Sequence, residues 1–105
     1  MDVESTVIDD LIRRIVAAAS PLRVILFGSA VRRENLIDSD IDVLVVVPNG
    51  THRRHAAQAV YKQIIGFGRP VDVIVATEED LEKYGDDYGM VFFPALREGR
   101  EIYAA

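Results

Sequence analysis

Apolar residues recur along the chain with two different periods, and the switches between them mark out its elements. Over residues 5–19 they fall at Ile8, Leu11, Ile12, Ile15, Val16 and Ala19, the spacing of one helix face. Ser5 or Thr6 can cap that helix, and Ser20-Pro21 predicts its end. A continuous apolar run, Val24-Ile25-Leu26-Phe27, follows in a strand predicted over 22–27. A short helix is expected from Ser29 to about Glu34. Residues 40–47 read as a second strand, and Val43-Leu44-Val45-Val46-Val47 predicts burial on both faces. Pro48-Asn49-Gly50 stops it. Thr51 is then the expected cap of a helix reaching about Ile65, with Ala56, Ala57, Val60, Ile64 and Ile65 turned inward. After a break from Gly66 to Pro70, residues 71–76 form a third strand. Thr77-Glu78-Glu79-Asp80 has the cap and early acids of a helix start. Residues 86–98 look helical, with a disturbance at Pro94. Gly99 ends that segment, and Glu101-Ile102-Tyr103 adds a short edge strand. The order αβαβαβαα(β) predicts an α/β or α+β domain around a small sheet.

Acidic residues interrupt this apolar pattern at chosen places. Side chains alternate along a strand, so Asp40 and Asp42 share one face, about 7 Å apart. Two acids at the mouth of a hydrophobic strand repel each other and lose hydration. A divalent cation would compensate, and oxygen-only ligands favour Mg²⁺, which also binds substrate phosphates. Taken alone, Asp38, Ser39 and Asp40 read equally as solvated turn residues at a strand start. Val71-Asp72-Val73-Ile74-Val75 shifts that balance by placing a third carboxylate inside another apolar strand. If the third strand lies beside the second, Asp72 meets Asp40 and Asp42 in one cluster, suited to two metals.

The first strand ends directly at Gly28-Ser29. A glycine between a strand and a helix lets an anion approach the backbone, and a helix N-terminus adds N–H donors. Gly28 and Ser29 can therefore hold the phosphates of a nucleoside triphosphate, with Ser39 at the acid motif and Arg32 within reach. An ordinary turn accounts for Gly28-Ser29 as well, and a solvated helix face accounts for Arg32 and Arg33. Taken together, the residues suit in-line attack of a hydroxyl on the α-phosphorus. Asp72 would sit close to that hydroxyl, and pyrophosphate would leave.

Composition narrows the setting. The 105 residues are expected to form one domain, 1–105, and half are hydrophobic. There is no cysteine, hence no disulfide framework or thiolate metal site. No apolar run approaches a membrane span, and the acidic start lacks a signal-peptide pattern, so a cytoplasmic protein is expected. The net charge of −5 argues against general duplex nucleic-acid binding, although ten of the twelve basic residues are arginine.

Gly28-Ser29, Ser39-Asp40-Ile41-Asp42 and Val71-Asp72-Val73 together resemble the nucleotidyltransferase superfamily that includes DNA polymerase β. The C-terminal stretch Leu96-Arg97-Glu98-Gly99-Arg100-Glu101-Ile102-Tyr103 is similar to its minimal branch of free-standing prokaryotic domains. The resemblance implies a small mixed β-sheet flanked by helices, like the polymerase palm. It implies ATP as substrate and a two-metal Mg²⁺ site on Asp40, Asp42 and Asp72. Minimal members are commonly paired with a helical HEPN-domain toxin. The implied function is that of antitoxin in a type VII-like toxin–antitoxin pair, by transfer of AMP to a partner tyrosine. One departure stands out: Ala30-Val31-Arg32-Arg33 replaces the branch's usual Arg-Ala-Arg-Gly, which weakens phosphate contacts or turnover. That departure leaves open a non-catalytic antitoxin that neutralises by binding alone. A third alternative is nucleotidyl transfer to a small molecule such as an aminoglycoside.

Little chain remains for a separate acceptor domain, so the acceptor would be small or would arrive on a partner. Tyr84, Tyr88, Met90, Val91, Phe92, Phe93 and Tyr103 either close the core or face a partner in a homo- or hetero-oligomer. His52-Arg53-Arg54-His55 reads as a second candidate surface or as a solvated first helical turn.

Overall fold

The computed structural model describes residues 3–28, 40–84 and 98–105. Its elements are α1 (Val3–Ala19), β1 (Arg23–Phe27), β2 (Ile41–Val47), α2 (Arg53–Gln63), β3 (Val71–Thr77), α3 (Glu78–Tyr84) and β4 (Arg100–Ala104). The four strands form one sheet in the order β3-β2-β1-β4. β2 and β3 run parallel, joined by a crossover through α2, whereas β1 is antiparallel to both of its neighbours, β2 and β4. The sheet is therefore mixed. The short helix expected from Ser29 and nearly all of the one expected over 86–98 lie outside the described residues.

Strand alternation sorts the side chains onto two faces. Val24 and Leu26 of β1, with Ile41, Val43, Val45 and Val47 of β2, pack against Ile8, Leu11 and Ile15 of α1 and Val60 of α2. The other face carries Ile25, Phe27, Leu44, Val46 and Ala76, with Leu81 of α3 against them. Val43 to Val47 are all fully buried, as the unbroken apolar run predicts for a strand with neighbours on both sides and cover on both faces.

Local bonds set the element boundaries, and some differ from the sequence reading: α1 begins at Val3, ahead of the cap expected at Ser5 or Thr6. α1 ends at Ala19 because Ser20 adopts positive φ (44°) and donates its N–H to the Val16 carbonyl, a left-handed C-terminal cap, before Pro21. His52, not Thr51, is the N-cap of α2: its Nδ1 accepts the His55 N–H at 3.3 Å, and the two imidazoles stack. α2 stops at Gln63, so Ile65 is not part of its inward stripe. Ile65 is 78% exposed while Ile64 packs on the core. Thr77 closes β3 and also caps α3. Its hydroxyl accepts the Asp80 N–H, and Asp80 Oδ2 accepts the Thr77 N–H. Those bonds and Arg53 hold the Asp80 carboxyl below its ordinary value.

Arg14 ties the two core helices together. Its Nη1 donates to the carbonyls of Gln63 (2.7 Å) and Ile65 (3.1 Å), which α2 leaves open at its C-terminus. Its guanidinium also lies over the Phe67 ring and pairs with Asp10. Arg13 pairs with the same Asp10 but is 76% exposed against 24% for Arg14. Arg14→Ala is therefore expected to lower unfolding stability by about 1–3 kcal/mol, since charge-assisted bonds to carbonyls are lost. Arg13→Ala should change it by less than about 0.5 kcal/mol. Urea unfolding of the two variants, with unchanged denaturant slope, checks the difference.

Candidate functional site

The end of the sheet where β1 finishes and β2 and β3 begin collects the predicted acids. In the parallel pairing Asp42 sits directly beside Asp72, and in the antiparallel pairing it sits beside Phe27, the residue before Gly28. Paired residues in a sheet project to the same side, so both carboxylates share the face that carries Leu44 and Ala76. The helices α1 and α2 pack on the opposite face.

The two carboxylates interact directly. Burial pushes the Asp42 carboxyl above its ordinary value of 3.8, and the charge of Asp72, a side-chain hydrogen bond with Asp72 and the charge of Asp40 all push it the same way. Asp40 precedes β2 and is exposed; it acts on Asp42 through its charge. Asp72 is exposed too, which the apolar run around it did not suggest. β3 is an edge strand and Asp72 is its second residue, so the carboxylate reaches water.

The structure thus draws Asp42 and Asp72 into contact, with Asp40 alongside. Among the described residues, no group of three or more carboxylates or histidines is closed tightly enough to hold a metal ion by itself. That arrangement fits the habits of Mg²⁺, which binds through one or two carboxylates and takes its remaining ligands from water and substrate phosphates. An oxygen-only donor set with uncompensated like charge is chemically suited to a hard cation.

Gly28 contributes more than a turn. Its φ is +76°, and a Cβ placed there would collide with Asp42 Oδ2 and lie 3.2 Å from Asp42 Cγ. The bare backbone of Gly28 therefore makes room for the Asp42 carboxylate. Ser29, Arg32 and Ser39, predicted to contact phosphates, lie outside the described residues, as do Ala30 and Arg33.

Sequence reasoning passed over Tyr61. Its hydroxyl accepts the N–H of Val73, the residue after Asp72, at 3.0 Å. Helical spacing puts Tyr61 in line with Ile65 on an exposed stripe, and no sequence signal links position 61 to the acids across the crossover.

Two measurements follow from the acid pair. A carboxyl whose folded value is raised adds stability only below its unfolded value, and loses it as pH rises through the folded one. Without metal, Asp42→Asn should thus melt higher than the parent protein at pH 7, with the gap closing as pH falls through the raised folded value and gone below 3.8. Calorimetric scans across pH read this directly. Gly28→Ala should destabilise by at least about 2 kcal/mol, combining left-handed strain with the collision. In an Asp42→Ala background its cost should fall to roughly 1–2 kcal/mol, the backbone strain alone. A double-mutant cycle in denaturant measures that coupling.

Comparison with known proteins agrees with this geometry. The family model described as nucleotidyltransferase domain matches residues 8–98. No curated protein matches the chain. Among solved structures, the chain is similar to that of a candidate nucleotidyltransferase from Sulfolobus solfataricus. The TM-score is 0.62 at 20% identity, over 94% of this chain and 78% of that one. At that identity the likeness speaks to the fold, and the family match to the chemistry. With the paired acids of β2 and β3 beside the Gly28 turn, the chain belongs to the nucleotidyltransferase domain family.

Proposed function

We propose that this chain transfers AMP from ATP to a tyrosine hydroxyl of a HEPN-type partner toxin, and so acts as that toxin's antitoxin. Nucleotidyl transfer itself follows from the family. The observation that carries the site is the contact between Asp42 and Asp72 across the parallel β2–β3 pairing, next to a glycine with no room for a side chain. The described helices all pack against the sheet, so a macromolecular acceptor would present its own hydroxyl at the end of β2 and β3 that holds the acids.

Asp40, Asp42 and Asp72 would hold the divalent cations of a two-metal site, with Asp42 and Asp72 paired across the strands and Asp40 beside Asp42. The cations would neutralise charge on the triphosphate and on departing pyrophosphate. Gly28 lets the backbone approach the phosphates, and Ser29, Ser39 and Arg32 supply donors to them. Asp72, exposed at the edge strand, faces the side from which an acceptor hydroxyl arrives and takes its proton as the oxygen attacks the α-phosphorus. The half-buried Asp42 is the fixed ligand of the pair.

The test is the intact mass of a HEPN-domain protein from the adjacent reading frame, incubated with this chain, ATP and Mg²⁺. The expected result is a partner heavier by AMP on tyrosine, with Asp42→Ala slowing transfer by about a hundredfold or more. A partner of unchanged mass under saturating ATP and Mg²⁺ would contradict the assignment.

A further inference from the structure

The peptide group between Asp72 and Val73 is held from both sides of β3. The Ile41 N–H donates to the Pro70 carbonyl, so the parallel ladder next carries the Asp72 carbonyl to the Val43 N–H. Even-numbered residues of β3 thus bond toward β2, and the Val73 N–H points to the free edge. There the Tyr61 oxygen accepts it at 3.0 Å. Tyr61 belongs to α2, which packs on the face opposite the acids. Its partly exposed side chain meets the strand edge from that face and stays clear of the carboxylates.

We propose that Tyr61 is a positioning residue for the metal-binding acids: through the Val73 backbone, its hydroxyl keeps the Asp72 carboxylate beside Asp42. The proposal rests on the nucleotidyl-transfer reading of the acid pair. Like charges in contact push apart, and one of the two strands must resist. Asp42 has little freedom to yield. Its strand has neighbours on both sides, and Gly28 closes against its carboxylate. Asp72 is the second residue of an edge strand and has a neighbouring strand on one side only. Repulsion is therefore relieved most readily by rotation of the Asp72–Val73 peptide, which swings the Asp72 side chain away from β2. Bonding the carbonyl of that peptide to Val43 and its N–H to Tyr61 opposes the rotation. A carboxylate already held in place loses less freedom on gathering a cation than one that must first be drawn in. Tyr61 thereby serves Asp72 as outer hydrogen bonds serve metal-holding side chains elsewhere.

The competing account is that Tyr61 only closes an edge amide, with no effect on the acids. Mn²⁺ with a non-hydrolysable ATP analogue is the probe, and its dissociation constant from the full-length chain is read from the EPR signal of free Mn²⁺. Binding that Asp42→Ala abolishes identifies the site. Tyr61→Phe keeps the ring and removes only the oxygen. It should speed exchange of the Val73 amide, followed by NMR, at least about tenfold. It should also weaken Mn²⁺ binding by about tenfold. Val47→Ala, a core truncation at the far end of β2, should lower the melting temperature more than Tyr61→Phe does. Its Mn²⁺ affinity should nevertheless stay within about twofold of the parent. Faster Val73 exchange with unchanged Mn²⁺ affinity in Tyr61→Phe overturns the proposal and leaves the proposed function standing. Unchanged Val73 exchange overturns it as well. An equal loss of affinity in Val47→Ala also overturns it, because the effect then follows stability. Parent binding that survives Asp42→Ala, or no binding at all, overturns the proposal together with the acid-site reading.

Discussion

Repulsion between Asp42 and Asp72 is the constraint around which the molecule is arranged. Nothing in the local preferences of two carboxylates would bring them together. What does so is the parallel pairing of β2 with β3, fixed by fully buried Val43 and Val45 on one face and Leu44 and Val46 on the other. A one-residue slip in that register would turn Asp72 to the face that α1 and α2 cover, away from Asp42. The apolar core therefore supplies the free energy that holds the acids together, and the Asp42 carboxyl is raised first by its burial and then by the charge of Asp72. A cation between them would relieve that repulsion, and charge placed in advance in this way is what phosphoryl transfer draws on.

The rest of the fold serves that register. α1 and α2 cover one face, and Arg14 joins α1 to the carbonyl end of α2, where the chain turns back toward Asp72. β1 brings Gly28 alongside Asp42, where any side chain would displace the carboxylate. Tyr61 closes an edge amide of β3 beside Asp72. Structural roles at this end of the sheet thus merge with chemical ones.

Much of this was legible in the chain because strands write their geometry plainly. The alternation at Asp40-Ile41-Asp42 and the apolar run after it placed the acids on one face of a central strand. Thr77 and Asp80 announced their reciprocal cap. Where the reading missed, long-range packing decided the outcome. Ile65 fits the helical period on paper, yet α2 ends two residues earlier. His52 took the cap from Thr51 by bonding to His55. Asp72 looked buried among valines because a sequence does not say which strand will be the edge. Neither the Gly28–Asp42 contact nor the Tyr61–Val73 bond has a local signature, since both depend on segments far apart in the chain.

The most direct measurement is a crystal structure with Mn²⁺ and a non-hydrolysable ATP analogue, using the anomalous signal of the metal. A metal peak at coordination distance from both Asp42 and Asp72 is expected, with triphosphate oxygens completing its shell on the Gly28 side. A metal and triphosphate bound elsewhere, with the two carboxylates left facing water, would contradict the proposed site.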